Sequence, residues 1–445
     1  MKVEIESAET LPLVEGNPGQ IQQIFLNLMM NGVQAMAGGG ALFYVTVASL
    51  IMPSIIVSLG IGLLSARTVW TMRADGWDYA SRTNANRTSS LISTASDGGS
   101  ITLGGGSVST TLASGTEVPT GYAVENSSSI FGGVSLGYQN AGHDTANKFY
   151  SGGGNITVRG KSTSLKSGES DGIASLEGLT IDAGTTGNIT LDGVGSASGA
   201  SYSGGIFLGF WGSAGNATSL LKTANGNISL TGTGTGATNN RGIIFCCNAT
   251  KPFTVEATGT GSVTLTGSGS SQDFVLYGAH NILAASGAIT LTGTGSGPLN
   301  TDTAVTTIGF KAGTDVTSST SNITITNDSL SLAAGKGLQV NTTGTVTVQP
   351  YSDSFSSAVT WPITDFAISS GVTGLTVGRS TVSTARTDTV TIGGQTSIAG
   401  PINVYANNIN LGAGLSSTGL NSAISLYAST NINTTATGLT VQTAG

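Results

Sequence analysis

One short phrase returns along most of the chain and constrains its fold more than any other feature. It reads "GSITLGGG" at 99–106, "GNITVRG" at 154–160, "GNITLDGVG" at 187–195 and "GNISLTGTGTG" at 226–236. It continues as "GSVTLTGSGS" at 261–270, "GAITLTGTGSG" at 287–297, "SNITITN" at 321–327 and "GTVTVQP" at 344–350. Apolar residues alternate within it, as in Ile189 and Leu191, Ile228 and Leu230, Val263 and Leu265, Ile289 and Leu291, and Ile323 and Ile325. A period of two places these pairs on one face of a strand and the intervening Thr or Ser on the other. A strand this short cannot bury its apolar face alone, so the repeats must stack on one another.

From residue 154 onward the phrases recur at intervals between 23 and 39 residues. From Asn227 the unit reads "NISLTGTG", "RGIIFCC" and "PFTVEATGTG", three strands separated by Gly- and Asn-rich corners. That is one coil of a three-sided solenoid. The expected fold is all-β, a right-handed parallel β-helix over 98–445 preceded by a short helical N-terminal region. About a dozen coils at roughly 4.8 Å per rung would give a rod on the order of 55 Å long. Gly suits the corners because it adopts positive φ cheaply. Asn155, Asn188, Asn227 and Asn322, each just before a strand phrase, fit either a stacked amide ladder or simple turn formation.

Composition agrees with many short strands. Charged residues are 9% of the 445-residue chain, Gly is 67 and Pro only 9, while hydrophobic residues reach 38%. Disorder needs fewer apolar residues and more net charge. With 16 basic and 23 acidic residues, net −7, there is no basic surface for nucleic acid. Cys246 and Cys247 are adjacent, and neighbours in a strand point to opposite faces, so no bridge between them is expected. With only His143 and His280 in the chain, no thiolate–imidazole zinc site can be assembled, and no cofactor is expected.

The first 97 residues read differently. In "QIQQIFLNLMMNGVQAM", 20–36, the apolar residues Ile21, Ile24, Phe25, Leu28, Met29 and Val33 fall at helical steps. "NLMMNGVQAM" and the Gly run after it resemble the asparagine box of histidine kinase ATP-binding domains, which implies a magnesium-ligand role at Asn31. The DxGxG box and the later Gly-rich boxes of that family do not follow, so no nucleotide binding is expected of 1–40. Residues 41–64, "ALFYVTVASLIMPSIIVSLGIGLL", are long and apolar enough to be a candidate membrane anchor. Pro53 and four Ser/Thr argue instead for a segment buried against the solenoid. Arg67, Arg73, Arg82 and Arg87 follow this stretch and only Lys2 precedes it, which conflicts with an outward-facing body. Residues 65–97 carry loosely helical spacing in Trp70, Ala74, Trp77, Ser81 and Leu91. They read as a helical linker.

The body, 98–445, resembles the passenger repeats of filamentous-haemagglutinin-like adhesins and autotransporters. The "ITLTGTG" phrases and "SIAGPINVYANNINL" carry the likeness. It implies a bacterial surface or secreted adhesin rod, without enzymatic activity, that contacts glycans or extracellular matrix and could self-associate. No export signal is evident.

Parallel β-helices also include polysaccharide-cleaving enzymes, which need clustered carboxylates. Asp171, Asp182 and Asp192 are the closest group and read as solvated surface, as do His143 and Asp144. The most regular surface feature is a set of outward hydroxyls: Ser229, Thr231, Thr264, Thr266, Thr290, Thr292, Thr324, Thr326, Thr345 and Thr347. Their expected arrangement is a flat two-column ladder that resembles the ice-binding plane of antifreeze solenoids. Thr also suits exposed strand positions for its β-branching alone. An enzyme, an ice binder, a structural filament subunit and a cytoplasmic sensor fragment are the competing readings.

Overall fold

The computed structural model describes residues 70–73, 77–78, 91–95, 98–111, 117–124, 132–136, 147–163, 170–175, 178–196, 203–209, 219–236, 238–246 and 252–444. All lie in one compact unit, Ile55–Gly445. The regular structure of the described residues is entirely β, gathered into sheets of 16, 8, 9 and 3 strands.

The chain visits three parallel sheets in turn. One circuit runs Ile189–Val194 in the first sheet, Ser203–Gly209 in the second and Ser219–Thr223 in the third. The next begins at Ile228–Thr233 and continues through Asn240–Cys246 and Phe253–Ala257. Each of these strands pairs in parallel with its equivalent one circuit away; Glu117–Gly121, by contrast, runs antiparallel to Ile101–Thr111. Ile189 faces Ile228, Ile228 faces Val263, Val263 faces Ile289 and Ile289 faces Ile323. These five are in register and buried, and they share one core cluster with Ile206 and Ile243 of the second sheet and Leu221 and Val255 of the third. The alternation read from the sequence therefore fixes both which side chains enter the core and how the circuits align.

Close approach explains the glycines between the first and second sheets. A Cβ on Gly193 would collide with the carbonyl oxygen of Gly205, and one on Gly232 with that of Gly242. At Gly267 the facing residue is Asp273, a carboxylate where earlier circuits have glycine.

Near the C-terminus the corner disappears. Ile402–Leu411 is one continuous strand: Ile402 pairs with Leu375 of Gly374–Val377, while Asn408 pairs with Thr389 of Thr389–Ile392. Ile424–Thr434 follows the same course, with a register shift between Ala406 and Asn408. A bulge in this pair absorbs the bend that glycines make elsewhere.

The structure corrects the reading of 65–97 where it describes those residues. Trp70–Arg73, Trp77–Asp78 and Leu91–Ser93 are strands in the first, second and third sheets, so the repetitive stack starts before residue 98. Trp70 pairs with Ile101 and Trp77 with Val134. A spacing of seven between the tryptophans fits a helix face, but here it measures the step from one sheet to the next. The helical reading of 1–40, with Asn31, and the candidate anchor at 41–64 lie outside the described residues. No helix among the described residues is long and apolar enough to cross a membrane.

Candidate functional site

The hydroxyl ladder is real as a register but differs in its membership. Ser229, Thr264, Thr290, Thr324 and Thr347 align in one column, which extends to Thr190 and Thr157 on one side and Thr376 on the other. Thr231, Thr266, Thr292 and Thr326 form the second column, which ends at Gln349. Thr345 belongs to neither. It sits opposite Asn322, whose side-chain oxygen accepts its N–H at 3.0 Å and its hydroxyl at 2.9 Å. The alternation in "TVT" places Thr345 and Thr347 on the same side, but Val346, opposite Ile323, sets the register one step later. Thr326 is 6% exposed and accepts Gln349 Nε2 at 3.2 Å, so it is not surface. The other eight are half-buried, shielded by their neighbours along the column.

In the earlier circuits the second column carries charge, Arg159 and Asp192. Tyr122 donates its hydroxyl to Asp192 Oδ2 at 2.7 Å. Burial, and then the Asp192 carboxylate, push the phenol up to about 12, against the pull of Arg159.

Amide stacking, left open by the sequence, is present. Asn155 Oδ1 accepts the Asn188 N–H at 2.9 Å, and Asn188 Oδ1 accepts the Asn227 N–H at 2.7 Å. Asn227 Oδ1 then accepts Ser262 N at 3.0 Å and Ser262 Oγ at 2.7 Å. Each amide thus serves as a turn former and as a tie to the next circuit.

The three carboxylates do not form a site. Asp171 begins a second-sheet strand and accepts the Gly204 N–H at 2.7 Å, Asp182 closes a third-sheet strand, and Asp192 lies in the first sheet. They therefore sit on three different sheets. His143 and Asp144 lie outside the described residues. Among the described residues no three His, Cys, Asp or Glu side chains are grouped to hold a metal ion. The expectation that the adjacent cysteines stay unbridged is overturned. Cys246, the last residue of its strand, is disulfide-bonded in a chain with only two cysteines, and the strand geometry behind the expectation ends at that residue.

Three polar clusters were not legible from sequence. Asp273, 1% exposed, accepts Gly269 N at 2.8 Å, Gly295 N at 3.1 Å and Asn327 Nδ2 at 2.9 Å. Burial drives its carboxyl up to about 6, in spite of those three donors. His280 is fully buried beside Phe245 and accepts the Phe253 N–H on Nδ1 at 3.1 Å. Its Nε2 makes no hydrogen bond among the described residues. Burial lowers the imidazole to about 4, with the backbone of Phe245 and Tyr277 partly opposing.

The third cluster holds down a surface strap. Lys222 pairs with Asp315 and lies 3.8 Å from the buried Glu256. Lys311 Nζ donates to Asn281 Oδ1 at 2.9 Å, so residues 310–320 lie back over earlier circuits with Val316 buried. Burial, reinforced by Asp315 and opposed by Lys222, raises the Glu256 carboxyl.

No protein-family model, curated protein or solved structure matches this chain.

Proposed function

We propose that the chain is a non-enzymatic adhesin rod, secreted or carried on a bacterial surface, that makes many weak contacts with glycans or extracellular matrix. The observation that supports this reading is the uncharged hydroxyl column from Ser229 to Thr376, repeated circuit after circuit on one sheet. A surface that offers the same few groups at each rung suits repeated weak contacts, because linked sites act at high effective concentration. The dispersal of Asp171, Asp182 and Asp192 over three sheets supports the same reading against carboxylate-pair hydrolysis. On this reading the three sheets close into a right-handed, three-sided solenoid. Cryo-electron microscopy of the purified chain tests that closure: a triangular section with a right-handed winding is expected, and an open section contradicts it.

Incubation with pectin, alginate and glycosaminoglycans, with and without calcium, tests the absence of turnover. No reducing ends or unsaturated products should appear while the chain is retained on at least one glycan or matrix surface. Product release that is lost in Asp171→Asn, Asp182→Asn or Asp192→Asn moves the protein to the enzyme class. Thermal hysteresis without adhesion moves it to the ice binders.

A further inference from the structure

The connection from the third sheet back to the first is short in the circuits before the strap: 224–227, 258–262 and 285–288 suffice. After Thr306–Gly309 it is far longer, 310–322, and its first part is the strap. Gly309, where the strap leaves the sheet, stands in one register with Leu283, Glu256 and Lys222 of the three preceding circuits. Lys222 is the residue that Asp315 of the strap reaches. The strap therefore runs back along a single column of the sheet.

Alternation points this column outward, since Leu221, Val255 and Ile282 beside it enter the core. Leu283 is nevertheless fully buried and Glu256 is 3% exposed, as expected of side chains beneath a cover. Val316 of the strap is 1% exposed. Lys311 N donates to the Val316 carbonyl at 3.0 Å and Thr314 Oγ1 to the Lys311 carbonyl at 2.8 Å, which sets the turn of the strap. Lys311 also holds Asn281, whose Nδ2 donates to Thr254 Oγ1 at 3.0 Å, and Asn341 Nδ2 donates to the Phe310 carbonyl at 3.1 Å. One segment thus ties consecutive third-sheet strands from Ser219–Thr223 to Leu338–Asn341.

In a stack of repeats each circuit contacts only its neighbours, so circuits can open one at a time. A segment that spans several of them removes that freedom. We propose that the strap is a clamp that makes the circuits from Ser219 to Asn341 open as one unit. It acts through the burial of Val316 and Leu283 together with the part-exposed Lys222–Asp315 pair. The clamp goes beyond the adhesin reading and does not depend on it. In a rod that carries load between a surface and its ligand, it would resist stepwise peeling.

Native-state hydrogen exchange of the full chain tests it, read at the amides of Leu221, Val255, Ile282 and Val340, with Val404 as a distant control. Val316→Asp removes the apolar anchor, and Asp315→Lys sets two ammonium groups against each other. Tryptic cleavage within the strap shows its release. Protection at the first four amides should fall on the order of tenfold in Val316→Asp and about threefold in Asp315→Lys, with Val404 unchanged. In the wild type those four should share one denaturant dependence, and in Val316→Asp their dependences should separate. Unchanged protection in a variant whose strap is cut overturns the clamp. An equal fall at Val404 overturns it as well, because the loss is then general, and so does a strap that trypsin leaves intact in both variants.

Discussion

The side-chain oxygen of Asn188 accepts the backbone N–H of Asn227, 39 residues later in the chain, at 2.7 Å. An asparagine that looks like a local turn former thus ties two circuits together. Asn188→Ala removes this acceptor and the Asn188 Nδ2 bond to Asn155 at 3.2 Å. The site is solvent-accessible, so the expected loss is about 1 kcal/mol. Urea denaturation measures it, and a midpoint equal to wild type would show that the ladder is ornamental.

Leu265 is fully buried in the core, between Leu230 and Leu291. Leu265→Ala should cost about 2–5 kcal/mol through lost transfer energy and the cavity left behind. Leu265→Asp buries a charge without a partner, and limited proteolysis should cut first in the adjoining circuits. Wild-type protease resistance in Leu265→Asp would place that side chain outside the core.

Asp273 and His280 titrate in overlapping windows with opposite signs. The Asp273 carboxyl, raised from 3.8 to about 6, keeps its proton longer in the folded chain, so its contribution is full below 3.8 and is lost as pH rises towards 6. His280, lowered from 6.5 to about 4, is held neutral, so its contribution is full above 6.5 and is lost as pH falls towards 4. The two slopes oppose each other between pH 4 and 6. Asp273→Asn should leave a stability that rises with pH across this range, and His280→Asn one that falls. Denaturant midpoints at half-unit pH steps read the slopes, and identical slopes in the two variants would contradict the assignment.

The strap over the third sheet depends on the Lys222–Asp315 pair. The Lys222 side chain is 29% exposed, so the pair contributes little to global stability. Asp315→Asn should shift the unfolding midpoint hardly at all, yet speed tryptic cleavage after Lys311 severalfold at low salt. Cleavage at the wild-type rate would mean that Val316 and the Lys311–Asn281 bond hold the strap alone.

Legibility divides along physical lines. Ile228 and Leu230 were readable because a period of two survives every change of loop length between circuits. The Asn ladder was half readable, since the residue type fits both of its roles. The strands at Trp70 and Trp77 were hidden because two aromatic residues seven apart satisfy a helical period as well as a sheet-to-sheet step. Thr345 was misplaced by one register step, which only the pairing of Val346 with Ile323 resolves. Asp273 and the strap join residues from different circuits, with no local pattern to announce them.

The adhesin account turns on valency, so the most direct measurement compares the same chain in one copy and in many. The purified protein is presented as a monomer and at high density on beads, over glycan and matrix surfaces at equal protein concentration. The account predicts weak, rapidly reversed monomer binding and bead retention at least a hundredfold longer, with substrates unchanged in mass. Equal retention for monomer and bead, or beads that adhere to none of the surfaces, would contradict it.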